Sequence, residues 1–345
     1  MTHRERVINA IEFKPIDKIA LECDVNAVAI YEHGEKIREL FKTIEGDFTP
    51  ISDEKFTMPS PEDFDRDGNY SRSNVDEFGI TWEYKIFGIQ GHPVKRPLDD
   101  WSKLEEYQFP YPKALTEGDS ELKALKAEYA KLKSNGFFIK RGWVGFLQQT
   151  TALRKFEDVL MDIYCQDEHL YKLTDMLFEK SKIDIENLIK SDVDCIQFGD
   201  DFGMQETMMF SPEVFRDFYK PRFKELIKPI KKAGKKVHFH SCGHIKPILE
   251  DFKEIGVDSI WPQLTAYDLK ELAAMCKDLQ LAIAIHPDRS GITDGTPDYV
   301  KRKMYEYAEI FRPMEGGSWL YLEVDNGFPY ENIEAMVEVI KELNR

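Results

Sequence analysis

The chain has few cysteines, no local excess of positive charge and no long apolar run. Its five cysteines are spread through 345 residues, without the dense spacing of a disulfide framework, so we expect free thiols in a reducing cytoplasm. No stretch approaches the roughly 20 apolar residues of a membrane span, and no signal-peptide core follows the first residues. We therefore expect a cytoplasmic protein without a membrane partner.

Acidic residues outnumber basic ones. Lys and Arg total 47 and Asp and Glu total 63, which gives a net charge of −16. This excess repels phosphate backbones and anionic lipids, and no basic cluster offsets it, so we expect no nucleic-acid partner. With 42% hydrophobic and 12% aromatic residues, the composition is that of a folded protein rather than a disordered one.

The first third of the chain has an irregular pattern. Residues 49–112 contain many prolines, and the runs 79–84 and 85–89 predict a hairpin carried on a long insertion. We interpret residues 1–115 as an N-terminal extension with this lid-like insertion, and residues 116–345 as regular β/α units. Both parts belong to one predicted domain that spans the chain.

Helical and extended patterns alternate from about residue 115 onward. Alternation of this kind predicts parallel strands joined by right-handed crossovers. The fold class that we predict is α/β, a (β/α)8 TIM barrel with an N-terminal helical/hairpin extension. An open doubly wound sheet is the alternative, but no glycine-rich phosphate loop follows any strand. The predicted strands are 18–22, 136–140, 195–198, 236–240, 259–261, 281–285 and 319–323, and the predicted helices are 120–134, 167–191, 212–233, 245–255, 269–278, 297–310 and 332–343.

Polar and aromatic side chains cluster directly after the predicted strands. In a β/α barrel the C-terminal ends of the strands form the active site, so this pattern indicates an enzyme. Adjacent residues face opposite sides of a strand, so we expect one of Asp200 and Asp201 to cap the following segment and the other to face the pocket. The candidates are Asp200, Asp201 and His286 for catalysis, Gln205 and Gln263 for substrate oxygens, and Trp143, Phe202 and Trp261 for an aromatic pocket.

The sharpest local motif is His240-Ser241-Cys242. Residues two apart in an extended strand point to the same side, so the imidazole and the thiol can converge on one ion. This pair of donors suits Zn²⁺ and is poor for Mg²⁺ or Ca²⁺. Two ligands are too few, so a third must come from another strand. The alternative interpretation is a buried strand histidine and a small apolar cysteine in the core.

Short motifs follow one another along the chain at residues 2–7 and 15–18, 76–79, 199–203 and 211–213, 238–243, 294–297 and 331–336. Their order resembles the uroporphyrinogen decarboxylase superfamily, closest to its zinc- and corrinoid-dependent methyltransferase branch. The decarboxylases of this family hold their porphyrinogen with an arginine-rich N-terminal loop, whereas residues 22–27 contain no arginine. A loop without guanidinium groups cannot neutralise so many substrate carboxylates, which argues against porphyrinogen decarboxylation.

The resemblance implies zinc held by His240, Cys242 and a second cysteine near the C-terminus. No cysteine lies beyond Cys276, so we assign the third ligand to Glu323, which ends the last strand, in preference to Asp325. A carboxylate leaves the metal more electrophilic, which favours demethylation of a small methylated substrate such as a methyl ether. The methyl group would pass to a corrinoid on a partner protein. The alternatives are a methylcobalamin:thiol methyltransferase and a decarboxylase-type lyase that acts on a tetrapyrrole.

Overall fold

The computed structural model describes residues 1–53 and 55–345. In this part of the chain, seven parallel strands form the central sheet, and three antiparallel strands form a smaller one. The strands in chain order are β1 (Leu21–Cys23), β2 (Arg72–Val75), β3 (Thr81–Tyr84), β4 (His92–Lys95), β5 (Lys140–Val144), β6 (Cys195–Gly199), β7 (Lys236–Ser241), β8 (Ser259–Pro262), β9 (Ala282–Ile285) and β10 (Ser318–Leu322). The order across the central sheet is β1-β10-β9-β8-β7-β6-β5.

At least one helix follows each of the strands from β5 to β10. This alternation carries the chain back along the sheet, so each new strand runs parallel to its neighbour. The α-helices in chain order are α1 (His3–Ile11), α2 (Ala27–His33), α3 (Glu35–Phe41), α4 (Ser120–Ser134), α5 (Leu147–Leu153), α6 (Phe156–Cys165), α7 (Glu168–Lys190), α8 (Pro212–Val214), α9 (Lys220–Lys232), α10 (Leu249–Ile255), α11 (Leu269–Leu279), α12 (Arg289–Asp294), α13 (Pro297–Phe311) and α14 (Tyr330–Leu343).

A short segment around Asp47 bridges the two edges of the central sheet. The Asp47 N–H donates to the carbonyl of Leu21 in β1 at 2.7 Å, and its carbonyl accepts the N–H of Phe138, just before β5, at 3.0 Å. The Asp47 carboxylate also accepts the Leu21 N–H at 2.7 Å. The sheet therefore curls until its edges are separated by one segment. The predicted α/β, TIM-barrel-like class is confirmed, with seven strands among the described residues instead of eight.

Two hydrophobic clusters lie on the two faces of the curled sheet. Val7 and Ala10 of α1 are buried with Trp319 of β10 in the smaller cluster. Leu320, the next residue of β10, belongs to the larger cluster that includes the helices, as the alternation of strand side chains requires. Because α1 fills the interior in this way, residues from the predicted N-terminal extension are part of the main body.

The predicted hairpin is wrong in its second strand. Residues 81–84 form β3, but it pairs with β2 and β4, and residues 85–89 form the connection. Gly88 has a φ of 76°, and a Cβ there would lie 3.1 Å from the backbone nitrogen of Val28 in α2. Residues 85–89 therefore turn closely over α2. Glycine can adopt the backbone conformation of this turn, whereas an extended strand would not make it.

Two other predicted elements differ from the structure. The strand predicted at 136–140 is β5 at Lys140–Val144, because Phe138 is bonded to the Asp47 segment instead. The helix predicted at 212–233 is interrupted by a π-helical turn at Phe215–Tyr219. Pro221 follows this turn and lacks the N–H that a regular helix would use there. Among the described residues, no helix has both the length and the apolar character to cross a membrane.

Candidate metal-binding site

Three potential metal-ligating side chains converge at the C-terminal ends of β6 and β7. Ligand atoms of Asp201, His240 and Cys242 all lie within 4.8 Å of one another. The two strands are parallel neighbours in which Gly199 lies opposite His240, so the residues that follow them meet at one edge. The His240 Nε2 atom is 3.4 Å from the Cys242 sulfur and 3.5 Å from Asp201 Oδ1. We call these three residues the metal group.

The imidazole of His240 is oriented by the next strand. Its Nδ1 lies 3.0 Å from the backbone carbonyl of Trp261, and a carbonyl can only accept, so Nδ1 carries the proton. The Nε2 lone pair therefore faces Cys242 and Asp201. Burial lowers the pKa of His240 to about 4, which leaves the ring neutral at neutral pH. A neutral histidine with its other nitrogen bonded to a carbonyl is the usual form of a metal ligand.

Asp201 and Cys242 are linked through the backbone. Asp201 Oδ1 accepts the Cys242 N–H at 2.8 Å, and Gln148 Nε2 donates to the other oxygen at 3.1 Å. Burial and the Asp201 charge raise the pKa of the Cys242 thiol to about 12, so a nearby cation is needed to hold it as a thiolate. One nitrogen, one sulfur and one carboxylate oxygen form a donor set that fits zinc.

Two glycines fix the loops that carry this group. A Cβ on Gly243 would lie 2.1 Å from the carbonyl carbon of Gly203, and a Cβ on Gly203 would lie 2.4 Å from that of Gly243. The two loops therefore touch backbone to backbone, and the Gly203 N–H donates to the carbonyl of Cys242 at 3.2 Å. Any larger side chain would separate them. These contacts explain why glycine occurs in both sequence motifs.

Asp200 and Asp201 face different ways, but Asp200 does not reach the pocket. Its carboxylate accepts the N–H groups of Phe146 at 2.6 Å and Gln148 at 2.9 Å, so it caps α5 rather than the segment after β6. The side chain is fully buried, and burial raises its pKa to about 7. This position gives Asp200 a structural role instead of the predicted catalytic one.

Glu323 lies outside the metal group. Arg289 Nη2 binds its Oε2 at 2.8 Å, and Nη1 of the same guanidinium binds Asp325 at 3.1 Å. The His286 Nε2 atom is 3.6 Å from Glu323 Oε2, and it is buried without a hydrogen-bond partner in the described part of the chain. The carboxylate that joins His240 and Cys242 is therefore that of Asp201. Arg289 is not among the residues predicted from the sequence, although an arginine four residues after one strand and two carboxylates just after the next strand could have indicated it.

The predicted aromatic residues divide between the pocket and the core. The Trp143 ring lies 5.6 Å from that of His240, and its indole N–H donates to Gln148 at 3.0 Å. The Trp261 ring lies 3.9 Å from that of His240. Phe202 is fully buried and packs on Tyr219 at 5.1 Å, so its assignment to substrate binding is wrong. Its position inside an aromatic cluster makes it a core residue.

The two glutamines do not meet at the metal group. Gln205 is exposed to solvent on the loop after β6. Gln263 accepts the Gly243 N–H at 2.9 Å and donates to Thr265 at 3.2 Å. Gln263 therefore supports the loop that carries Cys242, and a contact of either glutamine with substrate stays a prediction.

A cavity of about 660 Å³ is lined in part by Trp143 and Gln148, which contact His240 and Asp201, whereas no residue of the metal group lines it. The central sheet supplies Trp143 to its wall, and the small antiparallel sheet supplies Trp82. The Trp82 indole N–H donates to Asp76 at 2.7 Å, which fixes this part of the wall. Arg289 also lines the cavity. A volume of this size suits a small-molecule ligand.

The sequence profile of uroporphyrinogen decarboxylase (URO-D) matches residues 146–343. The chain belongs to the uroporphyrinogen decarboxylase family. This confirms the resemblance stated from the motifs, and the matched region contains all three residues of the metal group. No curated protein sequence matches the chain.

Solved structures also resemble this member of the uroporphyrinogen decarboxylase family. A methyltransferase from Methanosarcina mazei has a TM-score of 0.61 and 16% identity, and the match covers 99% of both chains. A B12-independent methionine synthase from Shewanella sp. W3-18-1 has a TM-score of 0.43 and 10% identity, with 81% of this chain and 74% of that chain covered. At 16% identity, the first likeness shows a shared fold.

Proposed function

We propose that this family member is a zinc-dependent methyltransferase, which moves a methyl group from a small methylated substrate to a corrinoid on a partner protein. The observation that carries the proposal is the convergence of Asp201, His240 and Cys242. Their ligand atoms lie within 4.8 Å of one another, as the coordination of one metal ion requires. Two residues that contact this group, Gln148 and Trp143, line a cavity of about 660 Å³. The fold shared with a methyltransferase from Methanosarcina mazei supports the same class of reaction.

His240 and Cys242 are the proposed zinc ligands. For the third ligand, the geometry favours Asp201 over Glu323, because Asp201 Oδ1 is 3.5 Å from His240 Nε2 whereas Glu323 is bound by Arg289. A zinc ion bound there would supply Lewis acidity at the heteroatom that carries the methyl group, which favours transfer of that group to a corrinoid cobalt.

The protein's own side chains prepare this site. The Trp261 carbonyl fixes the proton of His240 on Nδ1, and Gln148 holds the Asp201 carboxylate in place. The Trp143 ring lies 5.6 Å from the imidazole and forms one side of its surroundings. His286 has a buried Nε2 atom that lies 3.6 Å from Glu323 Oε2, and we propose that this imidazole holds the proton which the demethylated product takes up.

The charges around the pocket favour a small methyl donor over a porphyrinogen. Glu22, at the start of the loop that lacks arginine, is already paired with Lys140 at 2.6 Å, and Arg289 is shared between two carboxylates. No cation at these positions is left to bind a substrate with many carboxylates. A donor set with one thiolate is also less electron-rich than one with two, which favours demethylation over methylation of a thiol.

Two structural proposals accompany this function. We propose that the sheet is a (β/α)8 barrel in which the Asp47 segment takes the place of the eighth strand. We also propose that the small sheet β2–β4 is the lid-like part of the first 115 residues, since Trp82 forms one wall of the cavity.

Methyl transfer to free cobalamin tests the proposed function. The zinc-loaded protein is incubated with Co(I) cobalamin and a panel of small methyl ethers, methylamines and methyl thioethers, and methylcobalamin is followed by its absorbance. We expect transfer from at least one donor, and we expect Cys242→Ala to abolish it. No transfer from any donor, or conversion of uroporphyrinogen to coproporphyrinogen at an ordinary enzymatic rate, would contradict the proposal.

A further inference from the structure

Arg289 holds the two carboxylates that follow β10. Its guanidinium binds Glu323 at 2.8 Å through Nη2 and Asp325 at 3.1 Å through Nη1. Arg289 begins α12 soon after β9, and β9 and β10 are parallel neighbours. The arginine therefore reaches across from one strand end to the next.

Folding stability does not explain this arrangement well. About half of the Arg289 side chain and a third of the Glu323 side chain are exposed, and ion pairs with that exposure contribute little to stability. Two carboxylates on one guanidinium also leave a net negative charge. The binding of both carboxylates by one guanidinium has a clear geometric effect, however, because it fixes the position of the Glu323 carboxylate.

Glu323 is connected to the metal group through His286 and Trp261, without belonging to it. Its Oε2 is 3.6 Å from His286, the His286 ring lies 5.4 Å from that of Trp261, and the Trp261 ring lies 3.9 Å from that of His240. The positive charge of Arg289 also acts to lower the pKa of both His240 and Cys242. Arg289 therefore lies within electrostatic reach of the metal group.

We propose that Arg289 is a positioning residue that holds Glu323 away from the metal group, so that the fourth coordination position stays open for the substrate. This inference rests on the proposed function, because it needs a metal bound by Asp201, His240 and Cys242. Catalytic zinc has three protein ligands and an open position, and structural zinc has four protein ligands. A second carboxylate that reached the metal would fill the open position and convert a catalytic type of site into a structural one.

Cobalt(II) as a spectroscopic probe tests this proposal without any activity assay. The d–d absorption of Co²⁺ reports its coordination, and a titration with imidazole, which is neutral, reports whether a position is open. We expect the wild-type protein to bind Co²⁺ and then imidazole. In Arg289→Ala we expect Co²⁺ to bind about tenfold more tightly and imidazole to bind at least about tenfold more weakly, because the freed Glu323 takes the open position.

A double variant separates ligation from the simple loss of charge. In Arg289→Ala/Glu323→Gln, imidazole binding should return to the wild-type level, although the loss of the positive charge of Arg289 still favours the binding of Co²⁺. Arg302→Ala removes an exposed arginine elsewhere and should leave both titrations unchanged.

The possible failures are distinguishable. If Arg289→Ala binds Co²⁺ and imidazole as the wild type does, or if the double variant behaves as Arg289→Ala does, the positioning role is overturned and the metal group stands. If the wild type binds no more Co²⁺ than Cys242→Ala, the proposed function and this inference both fall.

Discussion

Asp201 connects the metal group to the loop that carries Cys242. One of its oxygens accepts the Cys242 N–H at 2.8 Å and lies 3.5 Å from His240 Nε2. The same carboxylate can therefore order the loop and act as a ligand, and substitution by asparagine separates these two roles because the amide oxygen still accepts the N–H.

Asp201→Asn should weaken zinc binding and leave the fold intact. The variant keeps an oxygen in place but removes a formal charge beside the metal, so we expect the zinc affinity to fall by about 10- to 100-fold. Competition with a chromophoric chelator measures this. Asp217→Asn, at an exposed aspartate 16 positions later in the chain, is the matched control. Equal affinities in the two variants would show that Asp201 is not a ligand.

Asp200 should make stability depend on pH. Burial raises its pKa in the folded protein from 3.8 to about 7, so its contribution is fully present below about pH 4 and is lost as the pH rises towards 7. Asparagine cannot ionise. We therefore expect the stability of the wild type relative to Asp200→Asn to fall by on the order of 2 kcal/mol between about pH 5 and about pH 8. Urea unfolding of both proteins at several pH values measures this difference. If the free energies of unfolding of the wild type and of Asp200→Asn changed in parallel with pH, the prediction would be contradicted.

At the residue scale, the sequence allows two of the three donors to be predicted. His240 and Cys242 share a side by strand alternation alone, and their ligand atoms lie 3.4 Å apart. Asp201 reaches the group through a loop whose path depends on the contact of two glycine backbones, which no local pattern reveals. The sequence assigns the third ligand to Glu323, but the Arg289 side chain, from a neighbouring strand end, binds that carboxylate.

The Asp47 segment is the element on which closure of the sheet depends. Its backbone bonds to both edges, and its carboxylate accepts the Leu21 N–H and a hydrogen bond from Arg6. Both Asp47 and Arg6 are buried. Loss of the carboxylate would leave a buried donor of β1 unpaired and remove one of the partners of Arg6.

Asp47→Ala should therefore destabilise the whole fold. We expect the free energy of unfolding to fall by about 3 kcal/mol, as for other buried ion pairs that lose one partner. Urea unfolding followed by circular dichroism measures the change. The control is Glu45→Ala, which removes an exposed carboxylate two positions earlier. A similar, small effect in both variants would mean that the segment does not hold the sheet edges.

At the element scale, the long periodic segments are the ones that the sequence predicts well. The predicted helix at 120–134 is α4 with the same bounds, and the predicted strands at 195–198 and 236–240 each end within one residue of β6 and β7. The errors fall where a tertiary contact decides the local structure. The Asp47 segment binds Phe138 ahead of β5, and Gly88 turns over α2 where a second hairpin strand was predicted.

At the scale of the whole molecule, strand and helix alternation was enough to predict the class of fold. The boundary drawn at residue 115 was less informative, because α1 fills the sheet interior and β1 pairs with β10. Those contacts join residues more than 270 positions apart in the chain, and local composition does not indicate them. The proposed site lies at the opposite end of this interior from α1, as expected for a β/α barrel.

The zinc content of the purified protein tests the central claim most directly. The wild type, Cys242→Ala and the control Cys165→Ala, at an exposed free cysteine, are dialysed and analysed by inductively coupled plasma mass spectrometry, and circular dichroism confirms that all three are folded. The account predicts about one zinc per chain in the wild type and in Cys165→Ala, and almost none in Cys242→Ala. A folded Cys242→Ala protein that keeps its zinc, or a wild type that binds none even when zinc is supplied, would contradict it.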